Sequence, residues 1–423
     1  MHSLLFTLGL ATAFAPFAAA HTTFTTLFID GVNQGDGTCI RMAKKGDVAT
    51  FPIAGGLGSK DMACGLDGQD AVAFTCPAPS GAKLTLEFRM WADAAKPGAI
   101  DDSHVGPMAI YLKKVSEDMK ATPAAGGGWF KIWDEGFDAA AKKWATEKLI
   151  ADNGLLSIDL PTGLPEGYYL ARHEIITLQN VTNNVVAPQF YVGCAQLHIA
   201  GGSGGNIPSD KTVAIPGHIS DATSPSLDFN VYQEDPTTYK VPGPKVFFPT
   251  SGSNTKVTTT NDKIAGTVPA TCLLKNANWC GTAVPAYTDE TGCWASAQNC
   301  WDQLDVCYNT APPTGSRGCK LWEEKMCTVL QNACQSKQFQ GPPKTDLKAD
   351  AEGVNAPVPG KLPGAVNEGV KQVGEGEGNN GAAATATASA AGPEATGGLK
   401  KKCGLKKARR EEIRRRRVVM ALP

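Results

Sequence analysis

Residues 84–90 read LTLEFRM, with Leu84, Leu86, Phe88 and Met90 alternating with Thr85, Glu87 and Arg89. Side chains two apart share a face of a strand, so the stretch predicts a half-buried strand with one apolar and one polar face. The same habit recurs in FTTLFI (24–29), MAIYLKKV (108–115), LLSIDL (155–160), YYLARHEIITL (168–178) and QFYVGCAQLHIA (189–200), with Gly, Pro, Asn and Asp between the runs. Many short strands with turn residues between them, from His21 to about Phe248, predict an all-β fold, an antiparallel β-sandwich.

Ahead of this region, Met1–Ala20 is apolar, lacks Asp, Glu, Lys and Arg, and closes on Ala18-Ala19-Ala20. That is the pattern of a secretory signal peptide, and no later stretch is apolar enough for a membrane helix. The chain is therefore expected to be secreted, with no membrane span, no nucleic-acid partner and a monomeric state. Cutting after Ala20 would leave His21 as the amino terminus, joining an amine and an imidazole on one residue. Such a chelate suits Cu(II), although the leader alone leaves open that a histidine follows the cut by chance.

The thirteen cysteines fit an oxidising compartment. Four precede residue 200 (Cys39, Cys64, Cys76, Cys194), eight lie between Cys272 and Cys334, and Cys403 stands alone. In the second group Cys293, Cys300 and Cys307 recur every seven residues, nearly two helical turns, and Cys319, Cys327 and Cys334 repeat the habit. This predicts a small helical hairpin whose facing cysteines cross-link; a zinc site is disfavoured by export and by the absence of histidine there. Formal net charge is −1, with a tail from Lys400 of +9 against −10 elsewhere. The expected organisation is a leader (1–20), a sandwich (21–248), a Thr- and Ser-rich linker (249–268), a Cys-rich helical module (269–338) and a disordered low-complexity tail with a basic end (339–423).

Two further stretches carry polar side chains of chemical interest. In DDSHVGP, His104 sits in a loop before a Gly-Pro turn; in PQFYVGC, strand alternation puts Phe190, Val192 and Cys194 on one face and Gln189 and Tyr191 on the other. Each alone is as well explained by packing. Asn180-Val181-Thr182 is a glycosylation sequon, expected in an exposed loop away from any binding face.

Taken in order, HTTFTTLFIDGVNQGDG, SHVGPMAIYLKKV, GWFKIWDEGF, KLIADNGLLSIDLP, GYYLARHEIITLQN, PQFYVGCAQL and VPGP resemble the fungal lytic polysaccharide monooxygenases of auxiliary activity family 9, formerly glycoside hydrolase family 61. The likeness runs from His21 to about Phe248. It implies an immunoglobulin-like sandwich with a flat face and one copper ion, held by the amine and ring of His21, the ring of His104 and, axially, Tyr191. It also implies that His173 and Gln189 hydrogen-bond oxygen species and that Cys64 pairs with Cys194. Cys39 would then pair with Cys76, although four cysteines allow three connectivities. The family departure is Val105, where many relatives carry a basic or polar residue. Tyr239 matches a position that stacks on sugar rings, packing under its loop being the alternative. Trp294, Trp301 and Trp322 could bind sugar or cover disulfides. The implied activity is oxidative cleavage of cellulose or an associated β-glucan, using an external electron donor and O2 or H2O2. Copper binding without turnover is the alternative, and hydrolysis by two of Asp101, Asp102, Glu135 and Glu174 is a third, disfavoured reading.

Overall fold

The computed structural model describes residues 21–219, 224–250, 264–347 and 354–368. The leader, most of the linker, Cys403 and the basic tail lie outside them. Eleven strands build two packed sheets: β1 Thr23–Ile29, β2 Val32–Asn33, β3 Ile40–Arg41, β4 Cys76–Pro79, β5 Lys83–Arg89, β6 Met108–Val115, β7 Gly126–Glu135, β8 Leu155–Asp159, β9 Pro165–Thr177, β10 Gln189–Ser203 and β11 Val213–Ile215. The smaller sheet has the order β8-β5-β1-β2, and the larger has β11-β7-β6-β9-β10-β3. All of these pairings are antiparallel; the exception is β4, which runs parallel beside β10. The fold is an antiparallel β-sandwich.

Leu84, Leu86 and Phe88 face the larger sheet and pack with Leu112, Phe130 and Leu197 between the layers. The opposite face of β5 departs from the sequence expectation, because Thr85, Glu87 and Arg89 are also buried. Arg89 bridges Glu87 (2.5 Å) and Asp36 (3.1 Å), and Asp36 also accepts the backbone N–H of Ala356. A segment of the expected tail, residues 354–368, returns to this sheet: Val366 N–H donates to Ser157, and Asn367 bonds the backbone of Asp159 in both directions. Disorder from residue 339 onward is therefore a mistaken expectation for this stretch. It has partners that its Gly-, Ala- and Pro-rich composition does not reveal.

The outer face of the larger sheet is covered too, with Tyr111, Trp129 and Leu170 packed beneath Ile219, Leu227 and Phe229. A buried ionic group crosses this layer. Arg172 and Glu174, two apart on β9, pair at 2.6 Å, and Arg172 also donates to the carbonyls of Met62 and Ala63. His218 reaches Glu174 at 2.8 Å, and the Tyr111 hydroxyl donates to it at 3.2 Å. Disulfides Cys39–Cys76 and Cys64–Cys194 tie the early loops to the sheet.

Beyond the sandwich, α1 (Ala145–Ala151) is a single short helix, and α2 (Glu290–Thr310) faces a second arm formed by α3 (Arg317–Trp322), a π-helical turn (Glu323–Cys327) and α4 (Thr328–Gln335). Asp289 caps α2 by accepting the Gly292 N–H. Cys293–Cys334, Cys300–Cys327 and Cys307–Cys319 staple the arms, and Cys272–Cys280 closes a hairpin beside them. The steps are seven and seven on α2 but seven and eight on the other arm. The π turn absorbs the extra residue, because wider winding lets eight residues complete two turns. Trp301 and Trp322 are buried against these disulfides, so they cover the bonds and present no surface to sugar. The hairpin preceding α2 holds the turn after β2: Asn278 donates to Gly37 (2.8 Å) and accepts from Cys39 (2.9 Å).

Burial pushes the Glu174 carboxyl up, but the charges of Arg172 and His218 outweigh it and hold the group below the usual carboxylate range. Its contribution is thus complete above the unfolded value of about 4.3 and is lost as pH falls through the folded one. Glu174→Ala should destabilise the fold by about 3–5 kcal/mol at neutral pH by stranding a buried guanidinium. A urea titration checks this, and the loss should shrink on acidification.

Candidate metal centre

His21, the first described residue, leads directly into β1, which fixes it at one end of the sandwich. Its ring packs against Phe51 with centroids 4.2 Å apart and the planes tilted by 51°, and its Nδ1 is buried without a hydrogen-bond partner. His104 closes a tight turn in which its N–H donates to the Asp101 carbonyl at 2.9 Å. The Ser103 hydroxyl donates to the Asp101 carboxylate (2.7 Å) and lies 3.2 Å from His104 Nδ1. A hydroxyl has one hydrogen, so toward the imidazole Ser103 accepts. The ring proton is then on Nδ1 and the lone pair on Nε2, the tautomer a metal ligand needs.

His104 Nε2 lies 3.1 Å from the Tyr191 hydroxyl, which donates to Gln189 Oε1, also at 3.1 Å. Tyr191 is delivered by β10, where the register sets it opposite Ile175. Burial lowers the proton affinity of both histidines, and each ring's proximity to the other lowers that of His104 further. Burial also pushes the Tyr191 phenol up, so it stays protonated. Two neutral imidazoles and a phenol thus gather at one edge of the sheets. Among the described residues no three His, Cys, Asp or Glu side chains form a cluster, because this set contains two such groups. The orphaned Nδ1 of His21 and the unprotonated Nε2 of His104 fit a metal ion that prefers nitrogen ligands.

Residues 21–239 match the model of Auxiliary Activity family 9 (formerly GH61). The chain belongs to that family. It is 46% identical over 357 residues to AA9 family lytic polysaccharide monooxygenase C of Aspergillus tamarii, covering 83% of this chain and 93% of that protein. It is also 46% identical over 355 residues to AA9 family lytic polysaccharide monooxygenase H of Botryotinia fuckeliana, covering 81% and 79%. Among solved structures, CvAA9A is 30% identical over 55% of this chain and all of that one, with a TM-score of 0.48. Membership in family 9 makes the chain an oxidoreductase of the lytic polysaccharide monooxygenase class. The match to the Aspergillus protein is long enough that it takes in the Cys-rich segment as well as the sandwich.

Two family-9 expectations, and the expected place of the sequon, need correction. His173 does not face an oxygen site: it is 2% exposed, its ring held edge-on by Phe24 and Phe88 at 5.6 and 4.8 Å. Burial, aided by the charge of Arg172, lowers its pKa to about 3. It pairs with Gly193, two residues deeper along β10 than Tyr191. The residue that does reach Gln189 is Gln179, whose Nε2 donates to Gln189 Oε1 at 3.1 Å and whose own Oε1 is buried without a partner. The signal was in the register: Thr177 pairs with Gln189, and Gln179 follows two residues on. Tyr239 is 9% exposed and packed edge-on against Trp144 and Phe229 at 5.0 and 5.1 Å, so its ring offers no sugar platform. Asn180 is exposed but directly follows Gln179, which puts the sequon beside the site and not away from it.

Val105 is partly buried and packs in the outer-face apolar cluster. The exposed aromatics on this side are Phe51 at 49% and Tyr232 at 68%, whose hydroxyl donates to the Gln179 carbonyl at 3.0 Å. Gln189→Leu removes the acceptor shared by Tyr191 and Gln179. It should cost about 1–3 kcal/mol, the penalty for stranding buried polar groups, measured by chemical denaturation of metal-free protein.

Proposed function

We propose that this chain is a secreted, copper-dependent lytic polysaccharide monooxygenase acting on cellulose or an associated β-glucan. The observation carrying the reading is the meeting of His21, His104 and Tyr191 at one sandwich edge, with the ring nitrogens in the protonation state that a metal requires. Removal of the leader would add the His21 amine to two imidazoles, and Tyr191 would neighbour the ion as a protonated phenol. When bound there, copper would supply one-electron redox chemistry with an external donor and O2 or H2O2 as co-substrates.

The protein's own contribution is geometric. Asp101 and Ser103 hold the His104 proton on Nδ1 and so keep Nε2 available. Gln189, with its oxygen engaged by Tyr191 and Gln179, has its two N–H bonds left to donate to an oxygen species beside the phenol. Phe51 shields the His21 ring, which limits water at that ligand. The amides of Gln179 and Gln189 do not titrate, so this part of the site keeps its charge across the working pH range.

Hydrolysis by paired carboxylates has little support. Glu174 is consumed by Arg172 and His218, Glu135 pairs with Lys148 at 2.5 Å, and Asp101 is tied into its turn by Ser103.

The test is mass spectrometry of products from swollen cellulose, with and without ascorbate, using copper-loaded protein that begins at His21. Oxidised oligosaccharides that need both copper and reductant are the expected result. Products with ordinary reducing ends, indifferent to copper, would overturn the reading. Since even outer hydrogen-bond partners of metal ligands are worth 10–100-fold in affinity, His104→Ala, or an alanine added before His21, should weaken Cu(II) binding by about 100-fold or more in calorimetry.

A further inference from the structure

Behind the candidate metal centre lies a cavity of about 470 Å³, walled by residues of β1, by the 41–54 and 61–66 segments, and by His173 and Tyr191–Gly193. Its volume falls within the range of small-molecule sites, which are concave and mostly apolar with a few polar groups. Its walls are of that kind. Phe24, Phe51 and Tyr191 contribute aromatic surface, and the polar groups include the Asp61 carboxylate and the His173 imidazole. His173 is fully enclosed, and its Nδ1 has no hydrogen-bond partner. Enclosing an imidazole nitrogen without a partner is costly, and a ligand hydroxyl in the cavity would relieve that cost.

We propose that this cavity binds a small phenol, the class of molecule that would serve as electron donor, and this inference rests on the monooxygenase reading above. The ring of such a ligand matches the aromatic walls, and its one or two hydroxyls match Asp61 and His173. Two wall residues are also in contact with the candidate metal ligands. Phe51 packs against the His21 ring at 4.2 Å, and the Tyr191 hydroxyl lies 3.1 Å from His104 Nε2. A donor held there would lie against Phe51 and Tyr191, the wall residues next to His21 and His104. Each encounter would remove one electron and one proton from the phenol O–H; the electron would pass to a cupric ion, the proton to water, and the phenoxyl radical would leave.

The experiment uses metal-free protein first, so that binding is judged apart from catalysis. Catechol is titrated and followed by saturation-transfer difference NMR, with cellobiose as the competing probe. Saturable catechol binding is expected, together with at least tenfold weaker binding in Ala49→Trp and Val48→Trp, which fill the cavity from its loop wall. Both variants should keep the wild-type circular dichroism spectrum. His173→Phe, which keeps a ring but loses the nitrogen, should bind more weakly than wild type. With copper loaded, the reduction rate should saturate with catechol in wild type and lose saturation in the filled variants, while reduction by ascorbate is unchanged. Equal catechol binding in wild type and folded filled variants, or cellobiose displacing catechol, would overturn the proposal. Failure of the chain to bind copper would sink the monooxygenase reading and leave the metal-free titration standing on its own.

Discussion

The pairing of β9 with β10 is the constraint on which the rest of the molecule depends. It runs from Pro165 opposite Ser203 to Thr177 opposite Gln189. Because strand side chains alternate with a period of two, a slip of one residue would exchange the two faces along its whole length. In the observed register, one face sends Tyr191 and Gln189 to the metal edge and His173 into the interlayer core. The other face carries Arg172, Glu174 and Cys194, which anchor the loop around Met62–Cys64. That loop in turn walls the cavity behind Tyr191. One ladder of backbone hydrogen bonds thus sets the candidate ligands, their polar neighbours and the chamber beneath them.

Much of this was legible because it depends on periodicity. The alternation in LTLEFRM and its counterparts marks strands, and the seven-residue cysteine spacing marks a helix face. What escaped has to do with distance in sequence. The polar face of β5 reads as solvated because its cover, residues 354–368, lies more than two hundred residues away and is interrupted by Gly and Pro, without strand or helix periodicity. The family resemblance gives His173 an oxygen-facing role through the stretch RHE (172–174). Burial between Phe24 and Phe88 decides otherwise, and Gln179 stands where a polar neighbour was expected. Tyr239 illustrates the same limit, since nothing local announces that Trp144 and Phe229 enclose it.

The helical module grips the sandwich beside the first half of β1. Asn278 holds the turn at Gly37 and Cys39, and because β2 runs antiparallel to β1 that turn lies back alongside the strand's early residues, with the Gly37 N–H donating to the Thr25 carbonyl. Its contacts clamp the smaller sheet where β1 begins.

The return of Val366 and Asn367 to β8 has a consequence for colloidal behaviour. β8 is the outermost strand of the smaller sheet, and a bare outermost strand offers unpaired amides to any neighbouring copy. By occupying Ser157 and Asp159, the late segment blunts that edge from within the same polypeptide. Proteolytic trimming ahead of residue 354 would unmask it and favour side-by-side stacking of molecules into fibrous aggregates.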